Sequence, residues 1–280
     1  TDRALQEAVE REGGREATRS LRAFGAKAGG AEALELGRLA NENVPILRAY
    51  DDKGRRLDQV EFHPAYHALM ELSVKQGLAC GGTEHMATAG GTPAPGANVA
   101  RAAGSYMIAQ AEAGHCCPIT MTNAAVATLA QQQSLARDWL PKVLSRSYDR
   151  TFRPVAEKSG ATIGMGMTEK QGGTDVRANT TRAVPTGRGG PGQTYTITGH
   201  KWFMSAPMSD AFLVLAQAPK GLSCFLLPRF RPDGTPNPVR LERLKDKLGN
   251  RSNASAEVEF LGCHAILVGE EGRGVPTIIE

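Results

Sequence analysis

Hydrophobic residues in the first 150 positions recur with the three- and four-residue spacing that is typical of helices. Residues 31–43 are rich in helix formers and place Leu34 and Leu36 close to Leu39. Pro64 precedes another apolar pattern, at a position where proline favours the start of a helix. Helices are predicted over residues 31–43, 64–79, 97–114, 118–133 and 134–145. Their many alanines allow helices to approach closely, which favours a bundle.

The pattern changes near residue 160, where short β-rich runs alternate with turn-forming residues. Strands are predicted over residues 161–167, 176–184, 195–199, 212–217, 222–227, 239–244 and 256–260. Glycine- and proline-rich gaps separate them, as in an antiparallel sheet or barrel. The predicted fold class is α+β and multidomain, with an N-terminal helical bundle followed by a small antiparallel β-barrel or sandwich. We expect domains at residues 1–158 and 159–272, with 273–280 beginning a further helical segment.

The segment 81–96 is rich in glycine and proline and predicts a loop between two helices. A surface excursion is favoured over a lid that covers a site.

Composition indicates a folded, soluble chain. Its 280 residues are enough for about two domains, and 41% of them are hydrophobic. The net charge of +4 is mild and does not require a nucleic-acid partner. No apolar run reaches the ~20 residues of a membrane span, and the polar N-terminus does not resemble a signal peptide. We therefore expect a cytoplasmic protein without membrane contact.

The cysteines predict reduced thiols. Five are present, an odd number, and none forms a C-x-x-C motif. Cys116 and Cys117 are neighbours, an arrangement unsuited to an ordinary disulfide. His63 and His67 are four residues apart, but no third ligand stands nearby, so a surface or helix-start role is favoured over a metal site.

Two motifs carry most of the chemical information. Residues 164–175 read GMGMTEKQGGTD, an apolar strand that runs into a hydroxyl, a glycine pair and a carboxylate. Residues 199–205 read GHKWFMS, an aromatic pair followed by a hydroxyl. Such strand ends present backbone N–H groups and small hydroxyls with little bulk, which suits a flat polar ring and a pyrophosphate. Together the two motifs predict a flavin site.

Other interpretations are weaker. The first motif alone fits a hairpin with Thr/Asp turn chemistry, and the second alone fits a core strand. Trp202 and Phe203 are adjacent on a strand, so one of them should face away from any site. Gly164 and Gly166 fail as a dinucleotide fingerprint because Glu169 occupies the sixth position and no βαβ unit follows. Nucleophile-elbow, zincin and P-loop motifs are absent.

The order of helical bundle, small β-domain and these two motifs resembles the acyl-CoA dehydrogenase superfamily. KLGNRS at 247–252 looks like a later signature of its β-domain, and GEEGRG at 269–274 resembles the segment that leads into its last helical domain. The strings GMGMTEKQGG, GLSCFLLPRF and RLERLKDKLGNRSNAS resemble the branch induced in the bacterial adaptive response to DNA alkylation.

The resemblance implies FAD as cofactor and assigns roles residue by residue. Thr168 would hydrogen-bond the flavin ring, Gly173 and Thr174 would reach the pyrophosphate, Phe203 would pack on the ring, and Ser205 would lie near flavin N5. Thr174 replaces the serine of the family and Phe203 replaces its tryptophan, which removes an indole N–H. The cofactor-binding residues expected in this way are Met165, Gly166, Met167, Thr168, Gly172, Gly173, Thr174, Phe203, Met204 and Ser205.

The resemblance also implies a C-terminal helical domain, which supplies the dehydrogenase base, cofactor contacts across a subunit boundary and a homotetramer interface. No persuasive base is found in residues 1–280, and these residues alone are expected to hold FAD weakly. Three functions remain open: an FAD flavoprotein of alkylation stress that binds double-stranded DNA through that domain, a working acyl-CoA dehydrogenase, and a non-enzymatic DNA-binding assembly that retains flavin. The small-molecule partner would be an acyl-CoA or an alkylating agent.

A cation-rich segment follows the β-rich runs. Residues 229–251 hold seven basic and three acidic side chains. They fit either phosphate binding or a solvated face with internal ion pairs, and the second interpretation is favoured.

Overall fold

The computed structural model describes residues 2–87 and 91–279. Seven helices form the first half of this part of the chain: α1 (Arg3–Arg11), α2 (Thr18–Ala28), α3 (Ala31–Glu42), α4 (Pro64–Lys75), α5 (Ala97–Ala111), α6 (Cys116–Ala130) and α7 (Gln133–Val143). The five predicted helices are confirmed, and each ends within a few residues of its prediction. Helices α1 and α2 were not predicted.

Local side chains explain where two helices begin. The Asp2 carboxylate accepts the N–H of Leu5 at 2.9 Å and caps α1. Pro64 is the first residue of α4, and the His63 ring accepts the N–H of Ala65 at 3.2 Å. His63 therefore lies at the helix start, outside the face that carries His67.

The helical half also contains a β-hairpin, which was not predicted. Strands β1 (Ile46–Tyr50) and β2 (Arg56–Glu61) pair antiparallel. The Asp51 carboxylate closes the turn by accepting N–H groups of Lys53 and Arg55. The hairpin reaches the second half of the chain, where Leu241 donates its N–H to Asp58 at 2.7 Å.

The second half forms one seven-stranded sheet: β3 (Ile163–Thr168), β4 (Arg182–Pro185), β5 (Thr194–Ser205), β6 (Ala211–Ala218), β7 (Gly221–Pro228), β8 (Val239–Leu244) and β9 (Ser255–Val268), followed by the short helix α8 (Gly274–Ile278). Its order is β3-β5-β4-β6-β7-β9-β8, and β5 also pairs with β9. This second pairing gives the sheet its barrel-like closure. Most pairs are antiparallel as expected, but β3 and β4 run parallel to β6.

Two strand predictions need correction. Residues 176–178 form a 3-10 turn because the Asp175 carboxylate accepts the N–H of Arg177, and β4 starts only at Arg182. The strand predicted at 195–199 continues without interruption to Ser205 and includes the aromatic pair.

The predicted loop 81–96 contains a 3-10 turn (Glu84–Ala87), and its residues 88–90 lie outside the described part.

Both faces of β6 are buried, which divides the core into two clusters. Phe212, Val214 and Ala216 join what we call the barrel-interior cluster, with Val60 of the hairpin. Leu213 and Leu215 join the helix-facing cluster, together with apolar side chains of α6 and α7. The Thr122 hydroxyl also accepts the N–H of Ile163, which fixes α6 against β3. The predicted fold class, a helical N-terminal region followed by a barrel-containing β-domain, is confirmed.

In the described part of the chain, every helix is too short or too polar to cross a membrane.

Candidate functional site

The two sequence motifs lie side by side on neighbouring antiparallel strands. In the register of β3 and β5, Met165 pairs with Ser205, Gly166 with Met204, and Thr168 with Phe203. Paired residues of antiparallel strands point to the same face, and residues two apart on one strand do so as well. The register shifts between Gly166 and Thr168 on β3, but Thr168 pairs with Phe203, and Phe203 and Ser205 are two residues apart on β5. Thr168, Phe203 and Ser205 therefore share one face. We call this surface the shelf.

The other face of these strands belongs to the core. Met204 is completely buried in the barrel-interior cluster. A Cβ on Gly166 would lie 3.2 Å from both Lys201 Cγ and Met204 Cγ, so this position has little room for a side chain. By contrast, Met165 and Met167 pack against the helix-facing cluster. Of the residues predicted for the site, Gly166 and Met204 can thus contribute backbone only.

The glycine pair turns the chain back against Thr168. Gly172 donates its N–H to the carbonyl of Glu169 at 3.1 Å, and the two residues form a β-bridge. A Cβ on Gly173 would lie 3.2 Å from Thr168 Cγ2. The N–H groups of Gly173 and Thr174 and the Thr174 hydroxyl have no hydrogen-bond partner among the described residues. These exposed donors lie next to the shelf and are available to an anion.

A buried ion pair ties the two strands together behind the shelf. The Glu169 carboxylate accepts Lys201 Nζ at 2.7 Å, and both side chains are fully buried. It also accepts the N–H groups of Thr180 at 2.6 Å and Thr181 at 3.1 Å. Burial alone would raise the pKa of Glu169, but the hydrogen bonds from Lys201, Thr181 and Thr180 outweigh it and lower that pKa. Glu169 is therefore an ionised structural group and is poorly placed to act as a base.

The aromatic pair interrupts the expected alternation. Lys201 pairs with Val258 and Met204 with Ala256, so a β-bulge places two residues, 202 and 203, opposite one. As a result both rings approach Lys245, whose Nζ lies 3.4 Å from the Trp202 centroid and 6.0 Å from that of Phe203. The regular alternation on which the prediction for the two rings rests is therefore interrupted at this bulge. Phe203 remains 39% exposed, which leaves much of its ring open to a ligand.

Residues from two distant segments surround Ser205. The Cys117 thiol at the start of α6 lies close to Ser205 and Asn253, and burial raises its pKa. Lys247 donates to the Asn253 carbonyl at 2.7 Å and to the Ser255 hydroxyl at 3.2 Å. Ser255 pairs with Ser205 across β5 and β9. Sequence reasoning missed Cys117 and Lys247, and their only signals were the Cys-Cys pair and the KLGNRS string.

The cation-rich segment is not a single surface. Arg243 and Lys245 both bond Glu257, at 2.6 Å each, which fits the interpretation of internal ion pairs. Arg229, in contrast, is buried. Glu169 follows Thr168 in the chain and Glu257 lies opposite residues 202–203 of β5, and both carboxylates are engaged by cations.

The remaining candidates are occupied by structural contacts. His67 Nδ1 lies 2.9 Å from the Tyr148 hydroxyl. The five cysteines are free thiols. Among residues 2–87 and 91–279 there is no cluster of three or more potential metal ligands.

Models of known families match both halves of the chain. The family model described as Adaptive response protein AidB N-terminal domain matches residues 1–150. The model described as Acyl-CoA dehydrogenase, middle domain, matches residues 164–263.

Individual relatives cover all or most of the chain. It is 52% identical over 281 residues to the putative acyl-CoA dehydrogenase AidB of Escherichia coli (strain K12), a match of 100% of this chain and 50% of that protein. It is 31% identical to acyl-CoA dehydrogenase family member 11 of Caenorhabditis elegans, over 88% of this chain and 40% of that protein. The crystal structure of C. elegans ACDH-11 in complex with C11-CoA superposes with a TM-score of 0.82 at 28% identity, over 99% of this chain and 47% of that one. The chain thus spans about half the length of the curated relatives it matches.

Proposed function

The chain belongs to the acyl-CoA dehydrogenase family, in its AidB branch, and on that premise we propose that it is part of an FAD-containing flavoprotein whose isoalloxazine ring lies on the shelf. One observation carries this proposal. Thr168, Phe203 and Ser205 come from two motifs about thirty residues apart, and the strand register places them on one face.

The shelf suits a flat polar ring. Phe203 offers an exposed aromatic face for stacking. The hydroxyls of Thr168 and Ser205 are small donors at either end of the paired segment. Bound FAD would supply a hydride acceptor. Donors fixed beside such a ring stabilise negative charge on it without reorganising, and the Lys247 ammonium adds a cation near Ser205.

The turn at 172–174 suits a pyrophosphate. Its two glycines allow close backbone approach. Two backbone N–H groups and the Thr174 hydroxyl lack partners among the described residues, so a phosphate oxygen could accept from them without breaking an existing bond. The Glu169 carboxylate fixes the loop that contains this turn. It bonds Lys201 of β5 at the start of the loop and the N–H groups of Thr180 and Thr181 at its end.

We further propose that the intact protein acts in the adaptive response to DNA alkylation, in the cytoplasm and as a homotetramer. The support is the 52% identity to the E. coli protein. The dehydrogenase base and the surface for double-stranded DNA would come from the half of the relatives that this chain does not span.

The flavin proposal is tested by the double variant Thr168→Ala/Ser205→Ala in the intact protein. Loss of two hydrogen bonds of about 1 kcal/mol each should weaken FAD binding on the order of tenfold or more. FAD per protein is measured by absorbance after gel filtration. Thr198→Ala, an exposed position on the same strand, is the matched control and should keep its flavin. Unchanged flavin content in the double variant contradicts the assignment.

A second candidate is a working acyl-CoA dehydrogenase, which the similarity to a C11-CoA complex favours. Bleaching of the flavin on addition of an acyl-CoA to the intact protein supports turnover. Salt-sensitive retention of duplex DNA without bleaching supports the stress-response or assembly function instead.

A further inference from the structure

A cavity of about 390 Å³ lies next to the segment that follows β5. Its walls are strand β2, the start of α4, the connector 148–152 and the segment 206–210 after β5. Phe62 and Met208 line it and pack on the barrel-interior cluster, whereas Met165 and Met167 of the shelf strand pack on the helix-facing cluster. The shelf residues Thr168, Phe203 and Ser205 are not among the described residues that line it, and its volume is within the ~300–1,000 Å³ range of small-molecule sites.

The carboxylates of this cavity are matched by cations. Three of them line it, and each forms an ion pair with its own partner: Glu61 with Arg48 at 2.9 Å, Asp149 with Arg153 at 3.2 Å, and Asp210 with Lys158 at 2.5 Å.

Two guanidinium groups at this cavity have no ion-pair partner in the described part of the chain. Arg150 lines the cavity, and Arg229 lies behind its Phe152 wall with Cζ 5.0 Å from the ring centroid. Neither forms an ion pair with a carboxylate among residues 2–87 and 91–279. Neither guanidinium therefore has an ion-pair partner of its own within these residues, and Arg229 feels only the more distant charges of Asp58 and Asp210.

Arg229 is an unusual buried cation. It is 4% exposed, and Nη2 donates to the Asp58 carbonyl at 3.0 Å, but Nε and Nη1 have no partner. Burial lowers the pKa of Arg229 to about 10, so the group is still protonated at neutral pH. An unpaired buried charge costs free energy, and a nearby anion would reduce that cost.

Further donors lie in the wall of the cavity. Ser209 lines it and is 3% exposed, yet its hydroxyl has no partner. The His67 ring bonds Tyr148 through Nδ1, and its Nε2 has no partner among the described residues. Burial, with a smaller effect from Arg150, lowers the pKa of His67 to about 4, so the neutral ring can offer one N–H.

The apolar part of the wall is aromatic. Phe62 and Tyr66 stack with centroids 4.3 Å apart, and Tyr148 and Phe152 stand on the opposite connector. Flat rings of this kind pack well against another flat ring.

We propose that this cavity is a second ligand site, for a small aromatic carboxylate. The ring would lie among the aromatic side chains, and the carboxylate would accept from Ser209 and Arg150 while it offsets the charge of Arg229. No covalent step is implied.

The test is titration of the intact protein with benzoate, and with benzamide as an uncharged probe of the same shape. Calorimetry measures affinity, and ¹³C-methyl labelling of methionine locates binding, because Met70 and Met208 line the cavity. We expect benzoate to shift Met70 and Met208, to leave Met165 and Met167 unmoved, and to bind at least tenfold more tightly than benzamide. Arg150→Gln and Ser209→Ala should each weaken the binding of benzoate by several-fold up to about tenfold, because each removes a charge-assisted hydrogen bond to the carboxylate.

Arg19→Gln, an exposed arginine on α2 without an ion pair among the described residues, is the matched control and should leave affinity unchanged. Equal binding of benzoate and benzamide overturns the proposed charge recognition. If the methyl signals of Met70 and Met208 do not shift at about 10 mM benzoate, a concentration that would occupy even a weak site, the proposed site itself is overturned. Because Arg150 is exposed, its variant remains informative even where Ser209→Ala does not fold. The outcome is independent of flavin content, so the two proposals fail or stand separately.

Discussion

Glu169 and Glu112 are both buried carboxylates, but they join different parts of the molecule. Glu169 bonds Lys201 and two backbone N–H groups, all within the β-domain and around the shelf. Glu112 bonds the His115 ring at 2.9 Å and the N–H of Gly114 at 2.6 Å, and it accepts the hydroxyl of Ser252 at 2.8 Å. Ser252 lies in the β-domain, 140 residues away. The first network therefore shapes the site, and the second holds the helical half against it.

The difference lies in the kind of partner. Glu169 has a lysine ammonium with a full charge, and removal of either member leaves the other charge buried without compensation. Glu112 has no lysine or arginine partner among the described residues, and a histidine, two backbone donors and a hydroxyl bond it instead. The shelf should thus fail abruptly when its ion pair is broken, whereas the contact between the two halves should weaken gradually.

The largest expected effect comes from Lys201→Met. Breaking a buried pair by removing one partner costs about 3–5 kcal/mol, and the double variant Glu169→Met/Lys201→Met should recover much of the loss because no charge is left buried. Denaturant unfolding of the intact protein measures both. Lys75→Met, which removes an exposed ion pair with Glu71, is the control and should change stability little. A single variant as stable as its control contradicts the role given to this pair.

A smaller effect is expected from acid. Burial raises the pKa of Glu112, but the hydrogen bonds from His115 and Gly114 outweigh it and hold the pKa at about 2. The pKa of an unfolded glutamate is ~4.3, so this carboxylate contributes stability above that pH and loses it as pH falls towards 2. A shift of this size corresponds to about 3 kcal/mol.

Glu112→Gln should accordingly be less stable than the wild type at pH 6. The difference in unfolding free energy between the two proteins should narrow steadily as the pH falls to about 2–3, where the carboxylate of the wild type becomes protonated. Urea unfolding at a series of pH values measures it. Glu10→Gln, on the exposed surface of α1, should follow the wild type throughout. A gap that is constant with pH would show that the charge of Glu112 is unimportant.

The sequence predicted elements with strong local signals and missed contacts that depend on folding. Apolar periodicity predicted helices α3 to α7, and the two motifs predicted the strand ends that carry the shelf. The hairpin β1–β2 was missed because its short strands lie among helical patterns, and its pairing with Leu241 spans 183 residues. Likewise, nothing in the local sequence links Lys201 to Glu169, 32 residues earlier.

The bulge at 202–203 shows a second limit. Alternation along a regular strand predicts opposite faces for Trp202 and Phe203, but one extra residue against β9 brings both towards Lys245. Such an irregularity arises from the pairing of two strands, so one strand's sequence cannot reveal it. Cys117 and Lys247 reach Ser205 for a similar reason, through α6 and the loop before β9.

The most direct measurement is a crystal structure of the intact protein with FAD bound. We predict that the isoalloxazine lies against Phe203, on the face of β3 and β5 that carries Thr168 and Ser205, with both hydroxyls within ~3.5 Å of polar ring atoms. A flavin on the Met204 face of these strands, or away from both motifs, would contradict it.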